Sequence, residues 1–194
     1  FGDKNKIQEI LKNKNLDNQF LEIVHTDEYI KGEDSALAAA KRGKNTSMWL
    51  AIESVKNKSS DIVVSAGNTG ALFVIAKLNL KMIENIDKPA LSGLWPNKIG
   101  MNIVLDLGAN IECSEKNLKD FSIMGAALHK SLFPNENSKV ALLNIGSEEL
   151  KGNTVIKNTY RELNKSKNPL FDFAGYIEGN HIMDGEVNVI VTDG

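Results

Sequence analysis

The sequence predicts an α/β fold, a three-layer arrangement with a mainly parallel sheet in one domain spanning residues 1–194. Two observations predict it. Short β-rich apolar runs alternate with amphipathic helical stretches along the whole chain, the pattern of a parallel sheet with helices on both faces. Four of those runs, moreover, end alike, in glycine and polar residues: Ile62-Val63-Val64 in SAGNTGA, Ile103-Val104-Leu105 in DLGAN, Leu142-Leu143 in NIGSEELKG and Val189-Ile190-Val191 in TDG. Parallel strands present their carboxyl ends along one edge, where ligands bind in α/β sheets, so these loops are expected to converge. Polar, glycine-rich βα loops also arise from turns and helix caps alone, and each loop taken singly fits that plainer explanation.

Taken in order, Ile7, Ile10 and Leu11 recur at helical spacing, and Phe20 to Val24 reads as a short strand. A helical region follows from about Ser35 to Lys56, broken at Gly43, with Asn45-Thr46-Ser47 as caps for its second half. Asp61 to Val64 reads as a strand, Thr69 to Met82 as a helix, and Pro89 to Pro96 as irregular chain. Strands are then expected at 103–107, 140–145, 171–174 and 187–191, and helices at 114–132 and 154–163.

Composition narrows the function. A net charge of −2 and a pI near 6.0 leave no basic excess for general nucleic-acid binding. Only Arg42 and Arg161 are arginines, so a bidentate clamp on an anion has two possible sources. The one cysteine, Cys113, excludes an internal disulfide, which suits a reducing cytosol, and supplies no metal cluster. His25, His129 and His181 show no metal-binding spacing. The longest apolar run, Ala71 to Ala76, is far short of the ~20 residues that cross a bilayer. Phe1-Gly2-Asp3 lacks an initiator Met, and both ends of the chain look cut.

The strand-end loops carry the candidate chemistry. Gly67 and Gly70 let backbone amides face an incoming anion, with Ser65 beside them and Asn68 or Thr69 capping the next helix. This is neither a dinucleotide GxGxxG nor a Walker A loop, and Glu84 and Asp87 sit in a loop rather than at the strand tip where a ribose acid belongs. Lys151 is the best-placed cation to neutralise an anion, although a solvated loop lysine is the common alternative. Asn110 offers an amide to a carbonyl oxygen or serves only as a turn or cap residue. Asp106 and Asp193 are acids of buried type.

SAGNTGAL, DLGAN, IGSEELKG and GEVNVIVTDG, in this order and preceded by KNTSM at 44–48, resemble the PlsX-type phosphate acyltransferases of bacterial phospholipid synthesis. The resemblance covers nearly the whole chain. It implies the architecture of phosphotransacetylase and isocitrate dehydrogenase, and transfer of a fatty acyl group from acyl carrier protein to inorganic phosphate. Ser65, Gly67, Asn68, Thr69 and Gly70 match the first family loop, Asp106, Gly108 and Asn110 the second, Lys151 and Gly152 the third, and Asp193 and Gly194 the last. Phosphate binding is thereby expected of Ser65, Gly67, Asn68, Thr69, Gly70 and Lys151, and catalysis of Asn68, Asn110, Lys151 and Asp193, without cofactor or metal.

The resemblance also implies a cytoplasmic homodimer in peripheral contact with the inner face of the membrane. The family's first Asp-Ala-Met-Gly-Gly-Asp loop and the segment after the last Asp-Gly are absent from these residues, so the chain is expected to be an internal fragment. His181 stands where relatives often carry an acid. Lys41, Arg42, Lys44, Lys56 and Lys58 are candidates to dock the acidic carrier. Cys113, three residues after Asn110, is the rival acyl-bearing nucleophile. A silent ligand-binding fragment and a dehydrogenase-like enzyme binding a nicotinamide cofactor are the alternative functions.

Overall fold

The computed structural model describes residues 1–16, 19–146, 151–165 and 167–193. The chain divides into two units, Phe1–Ile83 and Glu84–Gly194.

The first unit is helical: α1 (Lys4–Asn13), α2 (Ala36–Arg42), α3 (Ser47–Lys56) and α4 (Thr69–Leu80). Its caps follow the sequence. Asp3, Ser35, Thr46 and Asn68 each accept backbone N–H groups at a helix start. Gly43, at φ 122°, ends α2, so the break in the helical region falls where it is expected. Ala39, Met48, Ile52, Ala71 and Ile75 form the core of this unit.

The two strands expected here, over 20–24 and 61–64, do not form. Apolar β-branched residues make a strand only beside a partner that completes the ladder. Among the described residues of this unit the one such pairing is the Gly2–His25 bridge. Ile62 and Val64 accordingly stay 75% and 86% exposed.

The second unit holds the sheet: β1 (Ser92–Pro96), β2 (Met101–Leu105), β3 (Lys139–Asn144), β4 (Asp172–Glu178) and β5 (Val189–Val191), in spatial order β1-β2-β5-β3-β4. β1 runs antiparallel to β2, and the remaining pairs are parallel. Helices α5 (Glu115–Leu132) and α6 (Thr154–Lys165) pack on one face through Leu118, Phe121, Ala126, Ile156 and Leu163 against Ile103, Leu105, Val140, Leu142, Val189 and Val191. On the other face Val104, Ala141, Ile177 and Ile190 pack with Trp95, Leu107 and Ile182, the last from the 3₁₀ helix Gly179–Asp184.

Two differences from the expected elements have local causes. Pro96 made 89–96 read as irregular, yet an edge strand tolerates proline, and β1 lies at the edge. β4 runs past Ala174 to Glu178 because Gly175, at φ 87°, absorbs a bulge: Val140 pairs with Phe173 and Ala141 with Gly175. Gly125 matters for packing, since a Cβ there would collide with Val189 and come within 2.9 Å of Leu105 Cδ2.

Candidate active site

At the carboxyl end of β2 the buried Asp106 organises its loop. Its Oδ1 accepts from the N–H groups of Leu91 (2.8 Å) and Ala109 (3.2 Å), and its Oδ2 from the backbone N–H and the Nδ2 of Asn110, both at 2.8 Å. Asn110 Nδ2 also donates to Pro89 O at 2.9 Å. Both amide hydrogens of Asn110 are thus committed to holding the loop, and the helix that follows is capped by Ser114 instead. Gly108 sits exposed at φ 83°, where a side chain would be strained.

Neighbouring Cys113 is half-buried and donates its S–H to Asp193 O at 3.6 Å. Burial pushes its thiol above the ordinary value, with Asp106 and Asp193 acting in the same direction and Lys88 opposing. A nucleophilic cysteine needs the reverse.

The ends of β3 and β5 and the start of α6 line a cavity of about 530 Å³. Leu143, Ile145 and Ile156 give it an apolar wall, and Gly152, Asn153, Thr192 and Asp193 a polar one. Asn153 caps α6, its Oδ1 accepting from Ile156 N–H at 2.9 Å, and its Nδ2 donates to Asp193 Oδ2 at 3.2 Å. Asn144, at the tip of β3, donates from Nδ2 to Gly146 O (3.0 Å) and Lys151 O (3.1 Å). Gly152 stands at φ 94°, and a Cβ on it would collide with Asn144 Oδ1. Lys151 is exposed beside this cavity wall. Glu148, Glu149 and Gly194 lie outside the described residues.

Within the first unit, Ser65, Ala66 and Gly67 line a separate cavity of about 280 Å³ with Ser47, Met48 and Ala51. Two motifs singled out in the sequence, 44–48 and 65–70, therefore meet there. Gly67 fits under Met48, whose Cε would stand 3.0 Å from an added Cβ, and its N–H reaches Ser65 Oγ at 3.2 Å.

Asn68 accepts from Ala71 N–H through Oδ1 (2.9 Å) and donates through Nδ2 to Gly32 O and Asp34 O, both at 2.9 Å. Thr69 and Gly70 begin α4, and an added Cβ on Gly70 would stand 3.3 Å from Ala36 Cβ. Arg42 does form a bidentate clamp, but on Asp34, at 2.7 and 3.0 Å. The Lys31 backbone N–H and then the Arg42 guanidinium hold that carboxyl below its ordinary range.

The second unit therefore gathers Asp106, Gly108, Asn110, Lys151, Gly152 and Asp193 at the carboxyl edge of β2, β3 and β5. Ser65 to Gly70 belong to the first unit. Asn144 and Asn153 were passed over in the sequence. The second carried a signal, since an asparagine just before a helical run is a cap.

The curated relatives agree on a name. The chain is similar to the phosphate acyltransferase of Pelagibacter ubique (strain HTCC1062), 69% identical over 194 residues, which are all of this chain and 58% of that one. The phosphate acyltransferase of Paramagnetospirillum magneticum (strain ATCC 700264 / AMB-1) is 39% identical over 194 residues, 55% of its length. The chain thus spans little more than half of these relatives.

Among solved structures, EutD phosphotransacetylase from Staphylococcus aureus matches with a TM-score of 0.66 at 17% identity, over 98% of this chain and 68% of that one. A branched-chain phosphotransacylase from Enterococcus faecalis V583 matches at 0.51 and 14%, over 99% and 76%. The fold is thus of the phosphotransacetylase type. The family model described as fatty acid synthesis protein matches residues 1–194, and the chain belongs to that family.

Proposed function

We propose that this chain is the core of a phosphate acyltransferase, which moves a fatty acyl group from the thioester of acyl carrier protein to inorganic phosphate and yields an acyl phosphate for phospholipid synthesis. One observation carries the reading: the cavity at the ends of β3 and β5 combines an apolar wall with Gly152 and Asn153 at the N-terminus of α6 and Asp193 just past β5. An apolar wall suits an acyl thioester, and a helix N-terminus suits an anion.

The chemistry needs no relay. Phosphate, with a second pKa of about 6 by analogy with phosphoserine, is largely a dianion at neutral pH. Its oxygen attacks the thioester carbon, the tetrahedral adduct collapses, and the C–S bond breaks to release a thiolate of pKa about 8.5. In this reading Lys151 neutralises phosphate, and Asp193 fixes the geometry at the start of α6 through Asn153. Asn68 and Asn110, with their amide hydrogens engaged, act by holding their loops in place. The raised thiol of Cys113 favours direct attack over an acyl-cysteine route.

The acidic carrier docks on the exposed Lys41, Lys44, Lys56 and Lys58, while Arg42 is engaged by Asp34. The full-length protein works as a cytoplasmic homodimer touching the inner face of the membrane; among the described residues no helix is long and apolar enough to cross it. The test is to incubate the full-length protein with an acyl-carrier thioester, with and without phosphate, and to trap acyl phosphate with hydroxylamine. Hydroxamate that forms only with phosphate is expected, and its absence overturns the proposal.

A further inference from the structure

The side chain of Asn144 makes contacts that the proposed chemistry does not itself require. It is the last residue of β3, a strand paired on both sides, and is only 6% exposed. Its two Nδ2 hydrogens serve two carbonyls, Gly146 O at 3.0 Å and Lys151 O at 3.1 Å, which are separated by five positions in the chain. Carbonyls only accept, so this pairing fixes which end of the amide is which. The other end, Oδ1, lies where a Cβ at position 152 would have to go.

We infer that Asn144 is the positioning residue of the anion site: one rigidly mounted amide ties the Gly146 and Lys151 carbonyls to the end of β3 and thereby sets where Lys151 and Gly152 stand. The inference rests on the proposal that Lys151 binds phosphate. A backbone held at both ends from a paired strand places the groups that follow it more narrowly than a loop does alone. Loss of a comparable supporting contact around a bound metal typically weakens the site about 10- to 100-fold, and the same scale is expected here.

The experiment titrates inorganic phosphate into the full-length protein by calorimetry and follows amide hydrogen exchange at Gly152 and Asn153. Asn144→Ala is expected to raise the phosphate Kd at least about tenfold and to speed that exchange. Asn144→Asp, equal in shape but unable to donate, is expected to do the same. Asn144→Ser replaces Asn144→Ala should the latter not fold.

The control is Asn102→Ala. Asn102 is also buried, at 0% exposure, and bonded to Ile182 O, but sits at the opposite end of the parallel strands. It is expected to lower Tm while leaving the phosphate Kd unchanged. Folded Asn144 variants with a Kd within about twofold of the wild type overturn the inference, as does a weakening equalled by Asn102→Ala. Wild-type protein that binds phosphate yet forms no acyl phosphate overturns only the proposed function. Wild-type protein that binds no phosphate overturns both.

Discussion

Asn153 and Asp193 are joined at 3.2 Å by the same side chain that caps α6, so the helix start and the tip of β5 share one tether. The two duties are separable by substitution. Asn153→Ser keeps a capping oxygen but is too short to reach Asp193, whereas Asn153→Ala loses both contacts. The alanine variant is expected to lose about 0.5–2 kcal/mol in urea denaturation and the serine variant far less. Both should slow acyl phosphate formation. A serine variant with wild-type rate shows that the tether to Asp193 does not matter to turnover.

Cys113→Ala is expected to leave acyl phosphate formation within about twofold of the wild type, because direct attack by phosphate asks nothing of this half-buried thiol, which burial pushes up. Loss of the hydroxylamine-trapped product in this variant would favour the rival covalent route.

Asp106 accepts four hydrogen bonds at zero exposure. Asp106→Ala strands the N–H groups of Leu91, Ala109 and Asn110 in a part-buried place. Each stranded donor costs roughly 1–3 kcal/mol, with relaxation sharing the loss between them. A destabilisation of about 3 kcal/mol or more is expected from denaturant unfolding, and a change under about 1 kcal/mol contradicts the hub.

His129 is 1% exposed, bonded to Ser138 Oγ at 2.8 Å, and packed at a tilt against the Phe133 ring, with centroids 5.2 Å apart. Burial holds its pKa below the ordinary 6.5, although Glu136 pulls upward. The unfolded chain takes up a proton near 6.5 that the folded chain still refuses. Stability from this group is thus complete above that value and is lost as pH falls towards the folded pKa. Urea midpoints at about pH 7.5 and about pH 5 should differ more in the wild type than in His129→Gln. Equal differences dismiss His129 as the source.

The strands of the second unit were legible where apolar runs were long and central, as in 103–105, 140–143 and 189–191, because burial on both faces leaves an unbroken apolar signature. Helix starts were legible at Ser35, Thr46 and Asn68, whose short polar side chains have one strong local use. The strands read at 20–24 and 61–64 failed for a non-local reason: a sequence states its willingness to be a strand and not whether a partner lies beside it.

The site divides along the same line. Glycines and polar residues marked the loops that follow β2, β3 and β5, whereas the run before Ser65 is not a strand. What a side chain does there depends on neighbours remote in sequence. Asn68 reaches the carbonyls of residues 31–34, and Asn110 reaches Pro89, so two amides suited by type to an oxyanion are used in holding loops.

The strand order β1-β2-β5-β3-β4 carries a message about biosynthesis. β5, the last of the five to be made, lies in the middle, and β2 and β3 meet only through it. A growing chain on the ribosome can pair β1 with β2 and β3 with β4, but the two half-sheets stay unjoined until residues 189–191 leave the exit tunnel. Nascent chains stalled before that point should expose the edges of β2 and β3 to chaperones, and those stalled well beyond it should not.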